Sequence, residues 1–493
     1  MIDLIDREKL IIHLQQGVER AKRLQRPILV SVTQQIAKFN VIELFSAFRT
    51  LDECAFFWSQ PEEHFSMAGL GAAFMIETAG SQRFSETAAT WTVLLKQAVI
   101  VDPQLSIVSG PVLMGGFAYD TERPAMGIWQ DFAEGSFALS RLQLTSAEEQ
   151  HCLTINVVVN ANLDAKTETD NLIALWELAN SSCKVKPEIH FPADRIMTED
   201  VLPATEWKQI VRDAIAVIAS GAFEKTVLAR MIKITNSRPF DLKLALQRLC
   251  EFYPRAYVFA VQRKSQCFLG ATPERLVKLV DKLLRTTVLT GANRRGTGRL
   301  EDVLLGEQLL HNEKDMHEHK LGIQLIQNTL TPLCNDLDIP EQPQLLRLKN
   351  VQHLYTPIIG RLKAAKTMLD IAELLHPTPV VSGLARSSAQ AYIRAHEKLD
   401  RGWYAGPLGW INRQGDGELA LGICSAIMTD GQTGFLFADS GITADSNPEI
   451  EYQDTVLKLG AMLLALGGPD KRKAQIQTSQ LIGFDRRKQT KAG

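Results

Sequence analysis

The sequence predicts an α+β protein with mixed or antiparallel sheets. Short runs rich in β-branched and aromatic residues, several alternating in apolar character, outnumber the helical stretches. Those helical stretches stand at irregular intervals, which excludes a regular βαβ repeat. Short polar turns join several neighbouring strands into hairpins and a meander.

Taken in order, residues 7–24 carry an amphipathic helical pattern and PILVSVTQQI (27–36) follows as a strand. AFFWS (55–59) and SMAGLGAAFMIE (66–77) are expected to pair, and a helix is expected over about 83–100. GPVLMGGFAYD (110–120) is a buried strand whose Gly115-Gly116 allows close backbone approach. Residues 140–145 and 152–160 form a hairpin, and a helix covers about 166–180. Residues 183–203, with several prolines and no periodicity, are the expected linker. A helix over 206–221, closed by Gly221, then leads into the strand FEKTVLARMIKI (223–234) and a meander over 256–290. One long helix is expected over 303–330, a strand over 351–362 and a helix over 384–399. A hairpin over 406–428 turns at Gln414-Gly415-Asp416-Gly417, and GFLFADSGI (434–442) is the last strand. The final helix starts with a capping box from Ser446 to Glu449, with Pro448 in its first turn. The basic end, 469–493, is expected to be disordered.

The 493 residues are 45% hydrophobic with a formal net charge of −2, enough for a large core and without an electrostatic case for nucleic acid or anionic membrane. Seven scattered cysteines without C-x-x-C spacing argue for a reducing cytoplasm and against a disulfide or zinc framework. No apolar leader opens the chain and no run reaches 18 apolar residues, so a cytoplasmic protein without a membrane segment is expected.

Two helices carry acids on apolar stripes. Glu318 lies near Leu321 and Leu325 at helical spacing and away from Glu313, Lys320 and Gln324. On the final helix Glu451, Asp454 and Lys458 share a face with Met462 and Ala465. An acid so placed needs a partner or a metal. A pair between Glu318 and Lys314 would satisfy it, and so would one Mg²⁺ shared by carboxylates of the two helices. Lys225 begins a strand on the face of Val227 and Ala229, where lost hydration favours a neutral base; a solvated strand-edge lysine is the plain alternative. Glu274 follows Gly270-Ala271-Thr272-Pro273 and could act as a protonated general acid, or simply pair with Arg275.

FEKTVLAR, FLGATPERLV, LTGANRRG, LLHNEKDMHEHKLGIQLI, VQHLYTPIIGRL, LLHPTPVVSGL, DRGWYAGPLGW and SNPEIEYQDTVLK stand in the order found in chorismate-utilising enzymes. Over about 205–466 the chain resembles the isochorismate synthases of that family, and its N-terminal 200 residues resemble the longer, menaquinone type. The resemblance implies one large domain of two facing β-sheets with helices outside and the active site between them. Residues 1–200 would be its N-terminal part and 201–468 its chorismate-binding catalytic region. It implies Lys225 as the base that activates water, Glu274 as the acid for the departing hydroxyl, and Glu318 with Asp454 as Mg²⁺ ligands. Asp454 stands where the family usually has Glu, so Glu451 would help. Tyr404, His376 and Thr378 would line or shape the chorismate pocket, which a monomer or weak homodimer would hold. The ammonia-using relatives lack the lysine at 225, which favours water, and a salicylate-forming enzyme ranks lower on chain length.

Two departures stand out. Cys424 replaces an arginine expected to fork onto a substrate carboxylate. Asp439 and Ser440 replace the first two residues of Gly-Ala-Gly-Ile, leaving Gly441 to approach the substrate. Arg294, Arg295, Lys458 or the backbone around Gly441 would then have to hold the carboxylate, or the protein would bind chorismate weakly or without turnover.

Overall fold

Backbone groups along an apolar run must find partners on other strands, because water cannot reach them in a core. In the computed structural model, which describes residues 6–103, 109–123, 127–182, 196–349 and 351–468, 21 strands form one hydrogen-bonded network. Its pairings are antiparallel apart from Ile28–Gln35 beside Val99–Val101. The network makes two facing layers that share the strand Gly135–Ala147. The first half of that strand pairs with Val112–Phe117, Leu139 opposite Leu113, and the second half with Gln150–Val159, Leu144 opposite Leu153. One layer continues through Phe65–Thr78, Cys54–Gln60, Tyr257–Arg263, Gln266–Thr272, Ser425–Met428, Thr433–Ile442 and Lys225–Thr235. The other continues through Pro407–Asn412, Gly417–Leu421, Arg275–Val280, Leu283–Arg294 and Val351–Leu362.

Trp58, Met67, Phe259 and Phe268 of the first layer meet Leu113, Leu276, Trp410 and Leu419 of the second in a buried core. Helices cover the outer face of the first layer: Arg7–Leu24, Val41–Leu51, Ala165–Ser182 and Leu242–Phe252 bury Leu14, Phe45, Trp176 and Leu246 there. This is the expected α+β class with facing sheets and outer helices.

Several boundaries differ for local reasons. The helix expected to 100 ends at Leu95, and Val99–Val101 pairs with Val30–Val32 instead. Three helices escaped the pattern reading, Val41–Leu51, Leu242–Phe252 and Met368–Leu375, although Asn40, Asp241 and Thr367 cap them. The final helix is capped by Asn447, one residue later than expected, while Ser446 Oγ accepts from the Thr443 amide. Of the expected linker, 183–195 lie outside the described residues, as does the 469–493 tail, and Met197–Asp200 is a strand against Ile232–Thr235.

The single helix expected over 303–330 is two, Arg299–Leu310 and Glu313–Leu330. Asn312 divides them: its side chain accepts the Asp315 amide at 3.0 Å and so starts a second helix. Asn312→Ala is therefore expected to cost about 1 kcal/mol in a denaturant titration, with Asn312→Asp retaining most of it. The new start turns His319, Gly322, Ile326 and Leu330 to the core, so Leu321 and Leu325 are only half-buried.

Candidate active site

Between the end of the first layer and the helices Glu313–Leu330 and Pro448–Ala465 lies a chamber of about 310 Å³. Lys225, Glu274, Glu318, Tyr404, Cys424, Gly441, Glu451, Asp454 and Lys458 all line it. Residues from strands, a turn and two helices thus converge as the sequence suggested.

Lys225 opens its strand with 4% exposure, and its Nζ donates to Glu318 Oε1 at 2.5 Å. Glu318 therefore pairs with Lys225, rather than with the Lys314 considered as a helical neighbour. Burial works to raise the Glu318 carboxyl, but the charge and hydrogen bond of Lys225, joined by the charges of Lys314 and Lys458, hold it below its usual value. A Cβ on Gly441 would stand 2.9 Å from Lys225 Cε, so any larger residue there would push the end of the lysine side chain aside. Behind the lysine, Arg401 donates to Val227 O at 2.8 Å and to Glu397 Oε1 and Oε2 at 2.7 Å. Glu397 in turn accepts the Ala229 amide at 2.7 Å, which fixes the strand that presents Lys225.

Glu274 is 1% exposed, and its amide donates to Thr272 Oγ1 at 3.2 Å while its carbonyl accepts from Leu421 at 3.0 Å. Burial, reinforced by the charge of Asp439 and opposed by Lys225, pushes its carboxyl well above the usual range. Its Oε2 is buried without a hydrogen-bond partner. The alternative pairing fails, since Arg275 faces away and pairs with Glu418 at 2.9 Å. A buried, fixed carboxyl group whose surroundings favour keeping its proton has the form of a proton donor.

The remaining acids crowd one wall. Asp315, one helical turn before Glu318, is raised to about 6 by burial and then by the charge of Glu318. Asp454 is raised by burial and by Glu451, against the pull of Lys458. Glu451 accepts from Ser440 Oγ at 2.6 Å. Among the described residues no three potential ligand side chains stand close enough together to enclose an ion. The donor chemistry nonetheless suits a hard cation: Mg²⁺ uses one or two carboxylates and completes its shell with water and substrate. Asp315 was missed in the sequence; its signal was an acid three residues before Glu318, on the same helical side.

The departures lie together. Tyr404 donates to Asp439 Oδ2 at 2.8 Å, and Lys458 donates to Asp439 O at 2.7 Å. The Cys424 thiol, half-buried at a φ of +50°, is pushed up to about 11 by burial. Arg294 and Arg295, named as substitute partners, instead pair with Glu301 and Asp302 and do not line the chamber. His376 and Thr378 also stay outside the lining. His376 Nε2 lies 3.0 Å from Tyr119 O, before a cis bond to Pro377, and Tyr119 does not line the chamber either. His353, also missed, lines the chamber; its Nδ1 lies 2.7 Å from Gly291 O, and burial lowers it to about 4.

This fold and chamber define a class. The chain belongs to the chorismate-binding enzymes, whose family pattern it matches over residues 16–467. It is 33% identical to an isochorismate synthase of Bacillus subtilis over 459 residues, 92% of this chain and 96% of that one. It is 36% identical to the salicylate biosynthesis isochorismate synthase of Pseudomonas aeruginosa over 471 residues, 92% and 94% of the two chains. In fold it matches the menaquinone-specific isochorismate synthase of Escherichia coli with a TM-score of 0.73 at 23% identity, covering 92% of this chain and 100% of that one. Anthranilate synthase component I of Streptococcus pneumoniae shares the fold at a TM-score of 0.63 and 19% identity, over 81% and 92%. No helix among the described residues is long and apolar enough to cross a membrane.

Proposed function

We propose that the protein is an isochorismate synthase, converting chorismate to isochorismate with Mg²⁺ as cofactor. The observation that carries this is a buried lysine and a buried glutamate, one of whose carboxyl oxygens has no partner, facing one chamber. Lys225 acts as base once it has given up the proton it shares with Glu318, and it then takes a proton from water as the water oxygen bonds to C2 of the ring. The two ring double bonds shift, the C4–O bond breaks, and Glu274 gives its proton to the leaving hydroxyl. One water enters and one leaves, so atoms balance and the reaction is an isomerisation. Glu318 and one carboxylate of the facing helix, Asp454 or Glu451, would hold Mg²⁺, which would supply a positive charge for a substrate carboxylate.

Chain length does not separate the branches, because the Bacillus subtilis enzyme and the salicylate biosynthesis enzyme are both matched over nearly their full length; we assign the protein to the menaquinone branch, in the cytoplasm, as a monomer or weak homodimer. Purified protein given chorismate and Mg²⁺ should yield isochorismate, followed by liquid chromatography. An amino product requiring ammonium, or salicylate with pyruvate, would reassign it within the family. Binding of chorismate without turnover would support a non-catalytic role, the reading that Cys424 and Asp439 favour.

A further inference from the structure

The proposed reaction uses Lys225, Glu274 and the acids of the two helices. It leaves unexplained a second ion pair inside the same chamber. Asp439 lies two residues, about 7 Å, before Gly441 on one strand and on the same face of it. Its side chain is 12% exposed and is held by the Tyr404 hydroxyl at 2.8 Å, with Lys458 Nζ at 3.4 Å from its other oxygen. A buried charge survives only with such partners.

The consequence concerns what else can bind there. Three lysines and no arginine line the chamber among the described residues, against the carboxylates of Glu274, Asp315, Glu318, Asp439, Glu451 and Asp454. Lys225 is engaged by Glu318 and Lys458 by Asp439, while the third, Lys314, belongs to the helix Glu313–Leu330 and not to the strand that carries Asp439. The hydroxyl and ammonium that would receive an anionic group on this side already serve a carboxylate of the chain itself. Cys424, the neighbour across the adjoining strand end, brings no cation.

We infer that Asp439 is an internal competitor for a substrate carboxylate and thereby a specificity-determining residue. An arriving carboxylate must displace Asp439 from Lys458 and Tyr404 or lie against its charge. The chamber therefore discriminates against a dianion relative to a monoanion of the same shape. This rests on the isochorismate synthase reading insofar as chorismate, which carries two carboxylates, is the substrate.

Calorimetric titration in saturating Mg²⁺, with chorismate and with its analogue methylated on the side-chain carboxylate, tests this. Asp439→Gly should tighten chorismate binding by about tenfold or more, a change worth about 1.4 kcal/mol. The ester should change little. Asp439→Asn, equal in size and uncharged, should shift the same way and carries the test if the glycine variant does not fold. Cys424→Arg alone should gain little, because the new guanidinium pairs with Asp439. Combined with Asp439→Gly it should gain more than the two single changes together. Unchanged or weaker chorismate binding in the Asp439 variants, or an equal gain for the ester, overturns the inference. The inference stands if this binding pattern appears without turnover, and then only the reaction assignment falls. If turnover is seen and the pattern is missing, the competitor role alone falls.

Discussion

Lys225→Ala is expected to lower chorismate turnover by about 10²–10⁴-fold, the range that a positioned general base supplies. Steady-state rates with Mg²⁺ would show it, and a residual rate within tenfold of the parent would remove Lys225 from the chemistry. The same variant has a pH signature. Lys225 holds Glu318 below its usual value, so in the parent this carboxylate contributes stability above its unfolded value of about 4.3. That contribution is lost as pH falls through the lowered folded value. Without the lysine the acid limb of a thermal-melt series should be shallower, because there is less to lose.

The second large effect is expected at Glu274. Glu274→Gln keeps the shape and removes the proton, so turnover should again fall by about 10²–10⁴-fold. Stability should move the other way. The Glu274 carboxyl is raised on folding, so its stabilising contribution is complete below about 4.3 and drains away as pH rises toward the folded value. Glutamine has no such loss, and the variant should melt higher than the parent, by a margin that widens with pH. In the parent, turnover should decline on the alkaline side as Glu274 ionises. A flat alkaline limb, with no gain in melting temperature for the variant, would show that Glu274 is not the proton donor.

The charged residues of the chamber were legible where charge sat in an apolar setting. Lys225 at a strand start, Glu318 on a stripe and Glu451 with Asp454 on another each conflicted with burial, and all four line the chamber. Glu274 stood out through the Thr272-Pro273 kink before it. The partners were not legible, because pairing across 93 positions, as between Lys225 and Glu318, leaves no local pattern. The division at Asn312 was readable in principle, since Asn opens helices, but the apolar period runs through it and hid the cap. His376 and Thr378 illustrate the limit of resemblance: position in a motif placed them at the pocket, and the chamber's lining does not include them. Arg294 and Arg295 could not be excluded from composition, because their partners Glu301 and Asp302 sit on a helix whose start was misplaced.

The shared strand Gly135–Ala147 and its neighbours have a consequence for how the chain is made. Val112–Phe117 finds its second partner only in Pro407–Asn412, with Met114 opposite Trp410. Cys54–Gln60 likewise waits for Tyr257–Arg263, with Phe57 opposite Ala260. On a ribosome, which delivers about 5–20 residues per second, the apolar edge of Val112–Phe117 stays open for tens of seconds until those later segments emerge. Open apolar edges recruit other chains. Yield in a cell should therefore depend on chaperone capacity and growth temperature more steeply than the melting temperature of the finished protein would suggest.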